Sequence, residues 1–194
     1  ILIKKQTNHL INEIKRSKKL DDKIIGSAAI VLVGLTYGDN YYLKFGIDIL
    51  RQLLNFSLDS TNFPKSRNLR QLVFYLKYLI VVRELLKESQ TNIPDFLDEK
   101  IFYLGKSYNL LCAHRKNGIL FNGNFDESCF EFDSYLNLHK YKFKDDFNET
   151  GGYVVLKNKK SLLTMDIGKA PDKKFSKDYQ AGLFSFEFNF LGEK

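Results

Sequence analysis

The sequence predicts an α+β protein in two segregated parts, with helices first and strands afterwards. Three observations predict it. Apolar residues recur at helical spacing through the first two-thirds of the chain, and from about Thr150 onward apolar and polar residues alternate with period two. Between these regions lies "ILFNGNFDES", from Ile119 to Ser128, whose Asn, Gly and Asp residues mark a turn or exposed loop. Helices followed by strands argue for two separate layers rather than a parallel sheet with crossover helices. The expected division is a helical part over residues 1–125, a connection over 126–150 and the start of a β part over 151–194.

The helical elements follow in order. Ile3, Leu10, Ile11 and Ile14 share one face of a helix running to about Ser17, with lysines opposite. Asp21 or Asp22 is placed to cap a second helix, which runs to about Tyr37 and is closed by Gly38. Its core, "IIGSAAIVLVGL", is too short to cross a bilayer, and its small residues predict close packing. Asn40 opens a third helix, which ends before "LDSTNFPKS" and Pro64. A fourth spans about Asn68 to Glu88, with Leu69, Leu72, Val73, Leu76 and Ile80 in helical register. Pro94 starts a fifth, reaching His114. Successive antiparallel pairs with short connections are what stacked helical hairpins need, in a solenoid or a toroid, and no fixed-period repeat is present.

A short helix is expected around Phe132 to Leu138. "GGYVVLKN" and "SLLTMDIG" then read as a hairpin, followed by the loop "KAPDKKFSKDYQAG" and the strand "FSFEFNF". In that strand Phe184, Phe186, Phe188 and Phe190 fall on one face, and Ser185, Glu187 and Asn189 on the other. The apolar face calls for a covering layer. The chain opens at Ile1 inside a helical pattern and ends four residues after this strand, so it reads as a fragment in which the Phe face is only partly covered.

The net charge is +7, with a pI near 9.2, which favours anionic partners. The lysines are dispersed, however, and also read as solvated faces. Cys112 and Cys129 fit neither a disulfide framework nor a CxxC site, and His9, His114 and His139 lack metal-ligand spacing, so no metal or cofactor is expected. There is no phosphate-cradling glycine loop and no GxSxG elbow. Nucleic-acid binding is not expected, because basic and aromatic residues are not grouped on one exposed platform.

Several motifs, in order and spacing, resemble the heparinase II/III-like family. Thr150-Gly151-Gly152-Tyr153 is similar to its "SGY" strand, and Asp166-Ile167-Gly168 with Pro171 to its "VDxGxP" segment. Ala181-Gly182 with Ser185-Phe186-Glu187 is similar to its "HAGxLSFE" segment. Upstream, Leu120–Gly123 ("LFNG") and Ser66–Asn68 ("SRN") resemble the loop closing its helical part and the opening of its long helix. The resemblance implies an incomplete (α/α) toroid leading into an antiparallel β-sandwich, in a bacterial periplasmic or cell-envelope protein. It also implies lyase-type cleavage of an anionic, uronate-containing polysaccharide by β-elimination. That chemistry needs neutralisation of the uronate, a base and an acid.

The chain departs from the family pattern where a histidine is frequent before Ala-Gly. Gln180 stands there, and glutamine is no base near neutral pH, although it hydrogen-bonds sugar hydroxyls. No catalytic residue is therefore assigned, and a non-catalytic glycan-binding or envelope-assembly protein on the same scaffold is the alternative. The candidate substrate-binding residues are Arg67, Asn68, Tyr179 and Gln180, expected to line one polar cleft. Arg67 and Asn68 open a helix, where donors bind anions, but they also read as a cap with a solvated arginine. Tyr179 and Gln180 read equally as cleft-lining or plain loop residues. Tyr75 and Tyr78 read as core, and Asn122 and Asn124 as turn residues.

Overall fold

The computed structural model describes residues 2–112, 119, 122, 128–144, 146–177, 179–180 and 182–190. The expectations placed on His114, Leu120, Gly123, Asn124 and Ala181 lie outside the described residues, as does the side chain of Cys129. The helices are α1 (Leu2–Arg16), α2 (Leu20–Tyr37), α3 (Asn40–Ser57), α4 (Leu69–Glu88), α5 (Asp95–Leu111) and α6 (Ser128–Leu138). The strands are β1 (Glu149–Thr150), β2 (Tyr153–Lys157), β3 (Ser161–Asp166) and β4 (Phe186–Phe190). The chain is thus a mixed α+β protein with an antiparallel sheet. It divides into two compact units, Ile1–Ser57 with Lys77–Ile101, and Leu58–Leu76 with Phe102–Lys194.

In the first unit, Ile11 and Ile14 of α1, Ile30 of α2 and Tyr42 of α3 form a buried cluster, joined by Leu10, Val33, Phe45 and Ile49. The small residues of α2 work as expected. A Cβ at Gly34 would lie 2.4 Å from the Leu43 backbone nitrogen, and one at Gly26 would lie 2.6 Å from Ile14. Gly38 ends α2 in the left-handed conformation, φ 62°, and Asp39 Oδ1 caps α3 by accepting from the Tyr41 and Tyr42 amides. The cap expected of Asp21 or Asp22 is not there: Lys19 is the N-cap residue and both acids sit within the first turn. In that position their charge still complements the positive end of the helix dipole. Among the described residues no helix is long and apolar enough to cross a membrane.

In the second unit the sheet is a meander in the order β1-β2-β3-β4, every pair antiparallel. The β2–β3 hairpin closes at Asn158, whose side chain accepts from the Lys160 and Ser161 amides. Register assigns the faces. Tyr153 pairs with Asp166, and Val155 with Thr164, which pairs with Glu187; Tyr153, Val155, Thr164 and Asp166 are buried. The other face carries Val154, Met165 and Phe186 in one row and Leu156, Leu163 and Phe188 in the next. That face is open: Leu156, Phe186, Phe188 and Phe190 are each half or more exposed. Phe184 is not part of the strand. It occupies a left-handed turn, φ 64°, before β4 begins.

Candidate functional site

Arg67 is the pivot of the second unit. Pro64 fixes the turn before α4, with the Arg67 amide donating to the Pro64 carbonyl at 2.8 Å, and Arg67 takes φ 57°. That conformation sends its side chain across to residues 84–102 positions later. Nε donates to the Gly151 carbonyl at 2.8 Å. Nη1 donates to the carbonyls of Gly168 and Lys169, at 3.1 and 3.2 Å. Nη2 donates to the Gly152 carbonyl at 3.2 Å and to Asp166 Oδ1 at 2.6 Å. A guanidinium has five N–H donors, and all are used. The side chain is 8% exposed and Asp166 is fully buried, so this is an internal ion pair.

The glycines make room for it. Gly151 and Gly152 have φ 54° and 78°, so their carbonyls point at the guanidinium from a backbone that other residues rarely adopt. A Cβ at Gly168 would lie 2.6 Å from Arg67 Cζ, and one at Gly182 would lie 2.3 Å from Asn122 Oδ1 and 2.8 Å from Asp166 Oδ2. Asn122, itself buried at φ 55°, donates through Nδ2 to Asp166 Oδ2 and to the Tyr153 hydroxyl. The Tyr153 hydroxyl donates onward to the Arg67 carbonyl at 2.8 Å. Burial raises the Tyr153 pKa well above that of an ordinary phenol, although the Arg67 cation and the Asn122 hydrogen bond pull the other way. Tyr153 is therefore a neutral, committed hydrogen-bonding group at physiological pH and no proton acceptor.

Of the predicted site residues, the structure brings Arg67 and Tyr179 together: the guanidinium carbon lies 6.0 Å from the Tyr179 ring, and 4.7 Å from that of Tyr153. Gln180 follows Tyr179 and is exposed. Asn68 is the N-cap of α4, its Oδ1 accepting from the Arg70 amide at 2.8 Å and the Gln71 amide at 3.4 Å. The reading of a solvated arginine is corrected, because the side chain is buried, and the guanidinium expected to meet an anion has all five N–H groups bonded internally. Tyr75 is fully buried and Tyr78 half-buried, as core residues. Among the described residues no three His, Cys, Asp or Glu side chains are grouped to hold a metal ion.

Sequence reasoning did not find the groove beside Gly151 and Gly152. Its volume is about 530 Å³, and its lining includes Asp59, Tyr103, Ser107, Phe147, Glu149 and Thr150. That size lies within the usual range of ligand clefts. Ser107 and Thr150 share a hydroxyl–hydroxyl hydrogen bond of 2.7 Å, and Asp59 Oδ1 accepts from the Thr61 amide and hydroxyl and from the Phe63 amide. Two carboxylates, hydroxyls and two rings suit the hydroxyls and apolar faces of a sugar more than they suit an anionic substituent. The only sequence signal was weak: Asp59 and Glu149 flank turn and strand boundaries, where polar residues are common.

The class defined by this fold is a mixed α+β protein with a four-stranded antiparallel sheet among the described residues. No family model matches the chain, and no curated protein does. Among solved structures it is similar to the crystal structure of heparinase III, with a TM-score of 0.67 over 89% of this chain at 14% identity. The match covers 33% of that structure, so the chain spans about a third of its length. At this identity the likeness establishes a distant structural relationship, in the fold.

Proposed function

We propose that the chain is part of a heparinase II/III-like polysaccharide lyase, in which residues 1–125 belong to an incomplete (α/α) toroid, 126–150 connect, and 151–194 begin a β-sandwich. The whole protein acts in the cell envelope by β-elimination on an anionic, uronate-containing polysaccharide. The observation that carries this reading is the likeness to heparinase III across most of the chain. The open apolar face of β2, β3 and β4 supports the sandwich, since such a face is stable when a second sheet packs on it. The net charge of +7 supports an anionic substrate.

A second reading, glycan binding without cleavage, is favoured by one observation. Gln180, which stands where a histidine is frequent in the family, has no imidazole to act as base or acid. The deciding experiment incubates the full-length protein with a panel of uronate polymers and follows the ultraviolet absorbance of the unsaturated product. Product from one polymer supports the lyase. Binding with no product from any polymer supports the second reading and overturns the first.

A further inference from the structure

We infer that the loop 169–177 is a docking surface for a polysaccharide strand carrying carboxylate or sulfate groups, held by the ammonium groups of Lys169, Lys173 and Lys177. The inference rests on the reading above and adds the element that meets the anionic chain. Arg67 cannot supply that charge, since its donors are used internally. The loop has neither helix nor strand, yet its shape is fixed. Arg67 grips the Gly168 and Lys169 carbonyls at one end. Phe175 anchors the middle, 8% exposed, with Lys65 Nζ 5.7 Å and Lys174 Nζ 5.1 Å from its ring centre. The turn is closed by the Phe175 amide on the Asp172 carbonyl at 2.7 Å and the Ser176 hydroxyl on the Lys173 carbonyl at 3.1 Å.

Lys169, Lys173 and Lys177 are exposed, and none forms an ion pair among the described residues. The loop sets one described carboxylate, Asp172, against them. Cations on a pre-ordered loop give up little entropy when an anion arrives. Lys169, Lys173 and Lys177, with Lys174 lying over the Phe175 ring, make four point charges along nine residues, which suit repeated weak contacts with a polyanion, whereas a small anion is held by converging donors. The loop offers no exposed ring for stacking bases, because Phe175 is buried and Tyr179 is half-buried beside Arg67. That favours a glycan over single-stranded nucleic acid.

The test measures binding of the full-length protein to a polyuronate, dextran sulfate, neutral dextran and single-stranded DNA at low and moderate salt. Wild type is expected to bind both anionic glycans, more weakly as salt rises, and not neutral dextran. K169Q/K173Q/K177Q should weaken both interactions about tenfold at low salt. K169R/K173R/K177R should restore them. The three side chains are exposed, so melting temperatures should be unchanged. Equal binding by wild type and the Gln variant overturns the inference, as does wild type binding no anionic glycan or preferring DNA. Lysine-dependent binding without unsaturated product sinks only the lyase reading. Product formation with lysine-independent binding sinks only the docking loop.

Discussion

Replacing Arg67 by alanine separates a structural arginine from a substrate-binding one. The substitution leaves Asp166 as a fully buried carboxylate without its cation and removes the donor from four backbone carbonyls. Breaking one side of a buried pair costs about 3–5 kcal/mol, because the remaining charge stays out of water. For a chain of this length each kcal/mol lowers the melting temperature by about 2–4 °C, so the expected drop is about 6–20 °C. Arg83 provides the control: its pair with Asp98 at 2.5 Å is partly exposed on both sides, so Arg83→Ala should cost less than about 1 kcal/mol. Arg67→Lys should fall between, since an ammonium keeps the charge but cannot span five acceptors. Arg67→Met with Asp166→Asn should recover part of the loss, because no lone charge remains. The assay is thermal unfolding followed by far-ultraviolet circular dichroism. An Arg67→Ala protein that melts with wild type and has lost only glycan binding would refute the argument and return Arg67 to the ligand.

Two further predictions test the same junction. Gly182→Ala should destabilise by about 1–3 kcal/mol, because its Cβ would fall 2.3 Å from Asn122 Oδ1 among atoms that cannot all retreat, whereas Gly38→Ala, with open space around it, should lose only the roughly 1 kcal/mol of its left-handed backbone; denaturant midpoints would compare them, and equal losses would mean the junction relaxes. Tyr153 makes stability depend on alkaline pH. Burial raises its folded pKa above the ordinary phenol value of 10.0, so its contribution is complete below pH 10 and is lost as pH rises beyond it, at up to about 1.4 kcal/mol per pH unit. Tyr153→Phe should lack that increment, and parallel wild-type and variant curves between pH 9 and 11 would contradict the assignment.

Local chemistry made much of the fold legible. Gly38, Pro94 and the period-two run from Tyr153 to Asp166 mark boundaries that the structure reproduces closely, because caps, ring constraints and strand alternation act within a few residues. The two-residue strand β1 was not legible because two residues are too few to show an alternation, and the left-handed Phe184 was not because its amide is held by the Asp166 carbonyl, 18 residues earlier. The role of Arg67 was hidden for the same reason: its acceptors lie 84–102 residues away, and nothing beside it in sequence announces them. One signal was present. Alternation in "SLLTMD" puts Asp166 on the same face as Thr164, so a core-facing Thr164 implies a core-facing carboxylate that needs a buried cation. Glycines at 151, 152, 168 and 182 were the matching hint of backbone in close approach.

The motifs that resemble the heparinase II/III-like family can now be given a physical reason to occur together. "SRN" supplies Arg67, "TGGY" supplies two of its carbonyl acceptors and Tyr153, and "DIG" supplies Asp166 and the Gly168 carbonyl. Asn122 of "LFNG" and Gly182 of the Ala-Gly segment close the far side of the same carboxylate. Segments far apart in sequence thus meet around one ion pair; losing Arg67 or Asp166 leaves a buried charge without its partner, and a side chain at Gly182 would clash with Asn122. Such a constraint fixes residue types and spacing whether or not the protein cleaves anything. Gln180 fits this view. Its side chain is exposed and is not among the groups that bond Arg67 or Asp166. The resemblance is therefore carried by residues that the packing of this junction requires, which accounts for the motifs without assigning them an activity.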